Sequence, residues 1–586
     1  MIKKINREEL MKKMIENEGK VSLKPIEIDY SKNSNLKKQA KRIGAQYEID
    51  ESGLWILQDN GDKCLLANYM ELIKIIRNID TNTYKAIIRY KSFLEIKEIE
   101  VDRENYLNKN KLLELMNSGL DIRHSNVGTL VEYFREAEEA INKVENVHSK
   151  VGFSTNNGKK IYKLYKAIGI DSKYIGRYEI MPKGTKEEYE KMLEEEVYGR
   201  CELEFIMIAS LSAVVLGYIG EEIGLDNLII HLVGNSTTGK STALKFAISL
   251  FGYPDVKKQG IYNTYNGTNN ALLNKVGGMN GVPFALDEIS MSYTKNFTTF
   301  VYAMTNGTDK DRLNKNSELK EKETWLTTIL SNGEKSLIES SNKNAGIQVR
   351  VIEARNFSWT KNAENSENIN QTILKSYGHI GFEFAKYILN IDEEEVIRRF
   401  AEVRDELYKQ LESKIVVDGM TKRRCSKYAL LLLTAYYYEK MKDIKLDIDG
   451  IINMLIKIES ESIESRSFSQ SAIDYVKQYV SKYKRRFECG DNTPIDTLGK
   501  IITKGDCIEI QMNKISFAEM IRQGGYEDKN VVLKELRDNG FLNHEKDRFT
   551  RSRKNSLGYI EEVYVIKLPK EQMDNKIRED FENVVI

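Results

Sequence analysis

The feature that most constrains this chain is a glycine-bounded loop between an apolar run and a helix-forming run. Residues 234–241 read GNSTTGKS and match the phosphate-binding pattern GxxxxGK[ST]. The preceding run 227–233, NLIIHLV, reads as a short β-strand, and 242–247, TALKFA, opens a helix. By average residue frequencies, a chance match in a chain of this length has odds of about 1 in 50. A strand, a glycine loop and a helix in this order predict a parallel α/β sheet, and the alternative is a glycine turn before an ordinary helix.

The chemistry of this loop predicts that it binds ATP together with Mg²⁺. Glycines allow the backbone N–H groups to turn inward around the β-phosphate, at the positive end of a helix. Lys240 is placed to reach the β- and γ-phosphates, and the Ser241 hydroxyl to take a Mg²⁺ position. The predicted nucleotide-binding residues are Gly234, Asn235, Ser236, Thr237, Thr238, Gly239, Lys240, Ser241 and Thr242.

Two further strand patterns end in polar side chains that suit the same site. Asp287 and Glu288 follow the apolar run 282–286. On a strand beside the P-loop strand, Asp287 is expected to bind the metal and Glu288 to polarise the attacking water. Asn332, after the strand pattern 327–331, is expected to point at the γ-phosphate, with Ser331 as the other candidate. The alternatives are a strand that ends in solvated acids and an ordinary Asn-Gly turn.

Three arginines are candidates for stabilising charge on the transferred phosphate. Arg350 lies in a β-like segment, 347–353, and is the predicted arginine finger, supplied by a neighbouring subunit. A surface salt bridge is the alternative for this residue. Arg423 and Arg424 open an apolar helix pattern at 428–438 and are predicted to serve as a second phosphate sensor.

The length of 586 residues is too great for one core and predicts several domains. We expect an α/β protein with four parts. Residues 1–190 form an N-terminal α/β domain without a catalytic signature, and 191–365 form the P-loop ATPase core. Residues 366–469 form a helical bundle, and 470–586 form a winged helix-turn-helix domain.

Composition excludes several other classes of protein. The 89 basic and 88 acidic residues nearly cancel, so any nucleic-acid surface must be local. The five cysteines lie far apart without a CxxC pair, which argues against a disulfide framework and a zinc module. The apolar run 205–219 is shorter than a bilayer requires and is flanked by acids, so we expect a buried helix and no membrane span. With a charged N-terminus that lacks a signal peptide, the cytoplasm is the expected location.

Two regions are predicted to contact DNA. The polar insertion 306–322 suits a β-hairpin in a central pore, where it would track the backbone of single-stranded DNA; a solvated hairpin of mixed charge is the alternative. From residue 514 the pattern reads helix, glycine turn, helix and two-stranded wing, which predicts a winged helix that binds duplex DNA or, alternatively, a protein. The expected DNA contacts are Arg312, Lys315 and Lys320 in the hairpin, Lys529, Asn530 and Lys534 on the second helix, and Arg548, Arg551, Arg553 and Lys554 in the wing.

Together these motifs resemble the MCM-like AAA+ helicases and replication initiators, of Rep or Cch type, from mobile genetic elements of Gram-positive bacteria. The predicted C-terminal winged helix of this chain resembles that of replication initiators from pathogenicity islands and chromosome cassettes. The resemblance implies a hexameric ring that translocates on single-stranded DNA, 3′ to 5′, and starts replication of its own element. The stretches that carry it are Gly234–Thr242, 283–290 (PFALDEIS), Asn306-Gly307, Trp325, 330–334 (LSNGE) and Gly346–Arg350.

Two other classes of protein remain open from the sequence. One is an ATP-regulated DNA-binding protein, such as a transcription switch or transposition helper, that opens no duplex. The other is a remodeller of proteins, which would usually thread its substrate on an aromatic pore loop. The segment 312–322 is rich in Lys and Asn and has no aromatic residue, which favours the DNA motor.

Overall fold

The computed structural model describes residues 41–292, 294, 297–309, 322–341, 345–465, 468–488, 494–526, 528–554 and 558–570. The chain divides into two compact units, the first ending at Val147 and the second beginning at His148. The first unit therefore ends earlier than the predicted domain boundary at residue 190. The reason is that residues such as Val151, Tyr162 and Tyr189 are buried in the core of the second unit.

The first unit is mixed α/β, as predicted, and contains no element of the P-loop site. An antiparallel four-stranded meander precedes a second sheet whose long hairpin, Met70–Asn78 with Thr83–Ser92, runs in antiparallel register. The helix Val127–Glu139 buries Tyr133 and Phe134 in this core, and the Tyr133 hydroxyl donates to the Met70 carbonyl at 2.9 Å. Its strands are Lys41–Ile43, Tyr47–Asp50, Gly53–Leu57, Lys63–Ala67, Met70–Asn78, Thr83–Ser92, Glu95–Asp102 and Val144–His148; its helices are Arg103–Leu107, Lys109–Glu114, Leu115–Ser118 and Val127–Glu139.

The second unit begins with short strands that pack on a predominantly apolar helix, Cys201–Ile219. Among the described residues this helix alone is long and apolar enough to cross a membrane, and 89% of its most apolar window is buried inside the protein. It is therefore the predicted buried helix, apolar on every side because protein surrounds it. The elements that precede it are Val151–Asn156, Lys159–Lys163, Ala167–Ile168, Lys173–Tyr174, Lys186–Met192 and Leu193–Val197.

A five-stranded parallel sheet forms the centre of the second unit. Its strands lie in the order Tyr262–Thr264, Phe284–Asp287, Thr328–Gly333, Leu228–Val233, Val351–Arg355. They read as nearly continuous apolar runs because helices cover both faces of a parallel sheet. The strand that ends in Asn332 lies between the P-loop strand and the acidic strand, so their carboxyl ends meet at one edge. The helices of this region are Lys240–Ser249, Asn269–Val276, Ile289–Met291, Thr298–Asn306 and Ala345–Arg350, and a short strand is Met279–Asn280.

The β-like segment predicted at 347–353 is partly wrong. Residues Ala345–Arg350 form a helix, and the strand begins only at Val351. Side chains of a neighbouring helix bond the carbonyls at the end of this short helix, a tertiary contact that the local pattern does not reveal.

The region after the sheet is helical, as predicted. Its helices pack in the same hydrophobic core as the parallel sheet, where Tyr428, Leu431 and Tyr438 are fully buried. Its helices are Ala363–Lys375, Ile380–Leu389, Glu393–Lys414, Gly419–Lys442 and Ile448–Ser465.

The C-terminal region has a separate hydrophobic core and the predicted helix, turn, helix and wing. The glycine turn is real, since Gly525 has a φ of +78°. The first helix buries Phe517 and Met520, and the second buries Val532 and Leu536. The elements are Phe468–Lys482, Lys484–Arg486, Phe487–Glu488, Gly499–Lys504, Cys507–Asn513, Lys514–Gln523, Lys529–Asp538, Leu542–Asn543, Arg551–Lys554 and Ile560–Pro569.

Candidate active site

A cavity of about 910 Å³ lies over the carboxyl end of the parallel sheet. The P-loop residues 236–242 form one wall, and the helix Ala363–Lys375 with the segment before it forms the opposite wall. Glu288 and Glu334 border it as well. This volume is of the size that small-molecule and cofactor sites usually have.

The P-loop has the backbone geometry that its glycines allow. Gly239 has a φ of +80° and directly precedes the helix Lys240–Ser249. A Cβ atom there would lie 2.4 Å from the Thr360 hydroxyl, so only glycine fits. Lys240 Nζ donates to the carbonyls of Gly234 at 2.8 Å and Asn235 at 2.6 Å. Phosphate oxygens are stronger acceptors for this ammonium group than two neutral carbonyls.

Burial lowers the pKa of Lys240, and the carboxylates of Glu334, Glu288 and Asp287 oppose this effect. The three acids thus offset part of the cost of burying the ammonium group. Glu334 also accepts a hydrogen bond from the Ser236 hydroxyl, which holds the loop tip.

Ser241 and Asp287, the predicted metal ligands, are in contact, and Asn332, predicted to face the γ-phosphate, contacts Ser241. The Ser241 hydroxyl donates to Asp287 Oδ1 at 3.0 Å, and Asn332 Nδ2 donates to the Ser241 hydroxyl at 3.2 Å. A hydroxyl and a carboxylate are hard oxygen ligands, and Mg²⁺ in nucleotide sites usually takes one or two protein oxygens together with phosphates and waters. These donors therefore fit Mg²⁺.

Tyr262 is a site residue that the sequence analysis missed. It lies on the strand Tyr262–Thr264, beside the acidic strand, and its hydroxyl donates to Asp287 Oδ2 at 2.6 Å. Burial and the Asp287 carboxylate raise the pKa of this tyrosine, so it remains a donor. Its contact orients the carboxylate toward Ser241. A tyrosine in the mostly polar segment 257–266, KKQGIYNTYN, carried no signal of this role.

Glu288 stands directly beyond the acidic strand with a φ of +59°, a left-handed conformation that non-glycine residues adopt rarely. Its carboxylate accepts from the Ser290 hydroxyl at 2.7 Å, and its backbone N–H donates to Asn332 Oδ1 at 2.7 Å. Asn332 thus contacts the predicted metal ligand through one amide atom and the predicted base through the other. Ser331 instead is fully buried and bonds His231 and Tyr265, so it does not point into the cavity.

The wall opposite the P-loop was not predicted. Ser366 and Asn370, on the helix Ala363–Lys375, contact the Thr242 hydroxyl at 2.7 Å and 2.9 Å. These polar side chains fix the second wall to the helix that follows the P-loop. The sequence placed this region at the start of the predicted helical bundle, 366–469, without assigning it to the nucleotide site.

The predicted second phosphate sensor is wrong for Arg424. This side chain is 1% exposed, forms an ion pair with Glu459 at 2.7 Å, and lies in the protein interior. Arg423, the preceding residue, is exposed, and neither arginine lines the cavity. The two adjacent positions of one helix differ in direction by about 100°, so one faces solvent and the other the core.

Arg350 also lies outside the lining of the cavity of its own chain. Its guanidinium group stacks on the Tyr302 ring with the centroid at 4.5 Å, and Nη1 donates to the Gly346 carbonyl at 3.1 Å. Arg350 forms no ion pair with a described residue. Within the described part of the chain, the alternative role of Arg350 in a surface salt bridge is therefore not supported.

The predicted hairpin contacts Arg312, Lys315 and Lys320 lie outside the described residues. The described base of the insertion is an antiparallel hairpin stem: Thr308 pairs with Thr324, and the Trp325 N–H donates to the Gly307 carbonyl at 2.9 Å.

The charge of the wing is smaller than the sequence suggested. Arg548 pairs with Glu545 and Glu562, and Arg551 lies 3.7 Å from Glu545. By sequence, residues 546–554 contain five basic residues and one acid, an excess of four positive charges. Glu545 just before this stretch and Glu562 on the return strand offset part of that excess. On the second helix and in the wing, Asn530, Lys534 and Lys554 are exposed, and Lys529 and Arg553 are half-buried.

Comparison with known proteins supports this organisation. Residues 47–324 match the family described as a domain of unknown function, DUF927, and residues 467–571 match the Cch helix turn helix domain. No curated protein sequence matches the chain. The chain is similar to the solved structure "SCCmec type IV Cch - active helicase", with 24% identity and a TM-score of 0.73 over 91% of this chain and 99% of that chain. The predicted resemblance to Cch-type proteins is confirmed, and the fold is shared with that structure.

Proposed function

We propose that this chain is an ATP-dependent DNA helicase and replication initiator of a mobile genetic element, built on an AAA+ core. The observation that carries the proposal is the meeting of five side chains at one end of one parallel sheet: Lys240, Ser241, Asp287, Glu288 and Asn332. The same chain carries a Cch helix turn helix domain and shares its fold with a structure titled an active helicase.

Hydrolysis of ATP at this site divides among the side chains. The backbone N–H groups of the P-loop and Lys240 bind the β- and γ-phosphates. Ser241 and Asp287 would hold Mg²⁺, which when bound would neutralise charge on those phosphates. Glu288 orients the attacking water and accepts its proton. Asn332 bonds both the Ser241 hydroxyl and the backbone of Glu288, so one amide sets the metal ligand and the base in a common geometry.

Arg350 is proposed to complete the site of a neighbouring copy in a ring, which we take to be a hexamer. Its position outside its own cavity supports this role, because an arginine that serves phosphate in trans must reach across a subunit interface. A head-to-tail interface of this kind repeats around a closed ring.

Single-stranded DNA is proposed to pass through the ring along the hairpin 306–322, gripped by Arg312, Lys315 and Lys320. The winged helix is proposed to recognise the element's duplex origin, through the exposed side chains of its second helix and wing. Such a protein acts in the cytoplasm, where the element's DNA resides.

Strand displacement on a forked DNA with ATP is the test of this function. The wild-type protein should separate the strands, and Glu288→Gln should bind ATP and DNA without separating them. ATP-dependent duplex binding without any displacement would refute the helicase and leave the ATP-regulated DNA-binding protein as the function.

The two DNA surfaces are separated by a second comparison. Replacing Lys315 and Lys320 by Ala should impair unwinding without changing which duplex is preferred, since backbone phosphates carry no sequence information. Deleting residues 511–586 should remove the preference for the origin and leave unwinding of an open fork. A truncated protein that still selects its origin would transfer the specificity to the N-terminal region.

A further inference from the structure

The helix Gly419–Lys442 grips the end of the short helix that carries Arg350. Arg424 Nη1 donates to the carbonyls of Gln348 at 2.6 Å and Val351 at 2.8 Å. Lys427 Nζ donates to the carbonyl of Arg350 itself at 2.9 Å. These carbonyls belong to the last turn of a helix and to the residue after it, where intrahelical partners end. The positive charge of Arg424 also suits the negative end of the helix dipole.

Arg424 is held in place by buried partners on its own and a neighbouring helix. Arg424 and Glu459 are 1% and 0% exposed, and Tyr428 donates to the same Glu459 oxygen at 2.6 Å. A charged pair this deeply buried is stable only when its remaining donors and acceptors are bonded. The guanidinium fork meets that condition by binding Glu459 on one side and the two carbonyls on the other, which fixes its geometry.

Only the backbone of Arg350 is held in this way. Its side chain rests on the Tyr302 ring, and its Nε is buried without a hydrogen-bond partner among the described residues. The backbone position of Arg350 is therefore fixed. The Nε donor of its side chain has no partner among the described residues of its own subunit.

We infer that Arg424, Lys427 and Glu459 are positioning residues that hold the Arg350 backbone so that its guanidinium group reaches the nucleotide of the neighbouring subunit. We call these three side chains the clamp. The inference rests on the proposed trans role of Arg350. None of the three side chains lines the cavity at the P-loop, and the clamp acts only through the backbone of the helix that carries Arg350.

Two variants test the clamp by different routes. Lys427→Met removes the donor to the Arg350 carbonyl and keeps the volume of the side chain. Arg424→Lys keeps a positive charge beside Glu459, but a single ammonium cannot replace the fork that serves two carbonyls. Both should bind ATP with affinity within about twofold of wild type and lose kcat by about 10- to 100-fold, the effect of a small misplacement. The matched control is Lys422→Met, an exposed lysine of the same helix, which should keep wild-type kcat.

Mixing subunits separates a clamp from a general structural role. Glu288→Gln subunits lack a working base but supply an intact finger, whereas Lys427→Met subunits supply an intact base. Their mixture should hydrolyse ATP faster than the sum of the two alone, as should a mixture of Arg350→Ala with Glu288→Gln.

The outcomes distinguish the two ideas. If the Arg350→Ala mixture recovers hydrolysis and neither clamp variant does, the clamp is overturned and the trans finger stands. If Arg350→Ala keeps normal hydrolysis, or recovers nothing at any mixing ratio, the shared site itself fails and the clamp fails with it. Loss of ATP binding in both clamp variants would also overturn the clamp, because it would place the defect in the variants' own sites.

Discussion

Replacement of Lys427 by Met should stabilise the second unit, and more so at neutral than at alkaline pH. The Lys427 ammonium is 6% exposed and lies among other charges. Burial, the largest cause, lowers its pKa to about 7; Arg424 and Arg350 lower it further, and Asp226 opposes them. The variant removes a group whose charged form the folded protein disfavours.

The sign of the pH dependence follows from which state holds the proton. Between pH 7 and the ordinary value of 10.5, the unfolded chain binds a proton at Lys427 that the folded chain does not. The wild type therefore loses stability relative to the variant as the pH falls through that window, and the difference is constant below it. The whole interval is worth about 5 kcal/mol, because each pH unit contributes about 1.4 kcal/mol.

The lost hydrogen bond to the Arg350 carbonyl offsets part of this gain by about 1 kcal/mol at every pH. The net expectation is a variant about 3 kcal/mol more stable than wild type at pH 7 and about 1 kcal/mol more stable at pH 9.

Urea unfolding followed by tryptophan fluorescence measures this difference. In a Trp55→Phe background, the remaining tryptophans, Trp325 and Trp359, are both buried in the core that contains Lys427's helix and report on that unit. Lys422→Met should show no such pH dependence. A stability difference that is the same at pH 7 and pH 9, or a Lys427→Met variant less stable than wild type at pH 7, would refute the reasoning.

The other predictions concern catalysis and DNA. Lys240→Ala should weaken ATP binding by about 100-fold, since it leaves phosphate charge unpaired. Glu288→Gln should keep ATP binding and lose turnover by about 10²- to 10⁴-fold. Equilibrium ATP binding and steady-state hydrolysis separate the two effects, and near-normal turnover of Glu288→Gln would exclude Glu288 as the base. Asn332→Ala should lower kcat by on the order of 100-fold with little change in ATP affinity, as for the loss of a positioning contact, and an equal loss in binding would contradict this. Arg553→Ala should reduce the slope of log affinity against log salt concentration for duplex binding by about 0.9 per lost phosphate contact. Arg551→Ala should reduce this slope less, because Glu545 already lies near that arginine. Equal slopes for the two variants would argue against the pairing.

The P-loop site was largely predictable from sequence because its parts are local. A strand, a loop and a helix follow each other within a few residues, and strand ends in a parallel sheet meet at one edge. Lys240, Ser241, Asp287 and Asn332 therefore lie together as expected. Tyr262 could not be predicted in the same way, since its contact with Asp287 depends on which strand neighbours which.

The N-terminal boundary and the finger segment show what sequence patterns leave out. Residues 148–197 look like a continuation of the first α/β region, yet they pack on the core of the second unit. The β-branched residues near Arg350 suggest a strand, but tertiary hydrogen bonds from another helix stabilise a helical turn instead. Weak local propensity yields to such contacts.

Arg424 was predicted to sense phosphate, and the structure instead places it in the core beside the helix that carries Arg350. Two basic residues before an apolar helix suggested phosphate binding, a reading that assumes both face a ligand. In the folded chain Arg424 faces the core, where its charge is balanced by Glu459 and its remaining donors bond the finger helix. Lys427, one turn further along, adds a buried amine at a cost in stability. Natural proteins break local stability rules mostly at functional or strained sites. The buried amine of Lys427, taken together with its hydrogen bond to the Arg350 carbonyl, therefore supports the inference that the position of the Arg350 backbone matters to the reaction.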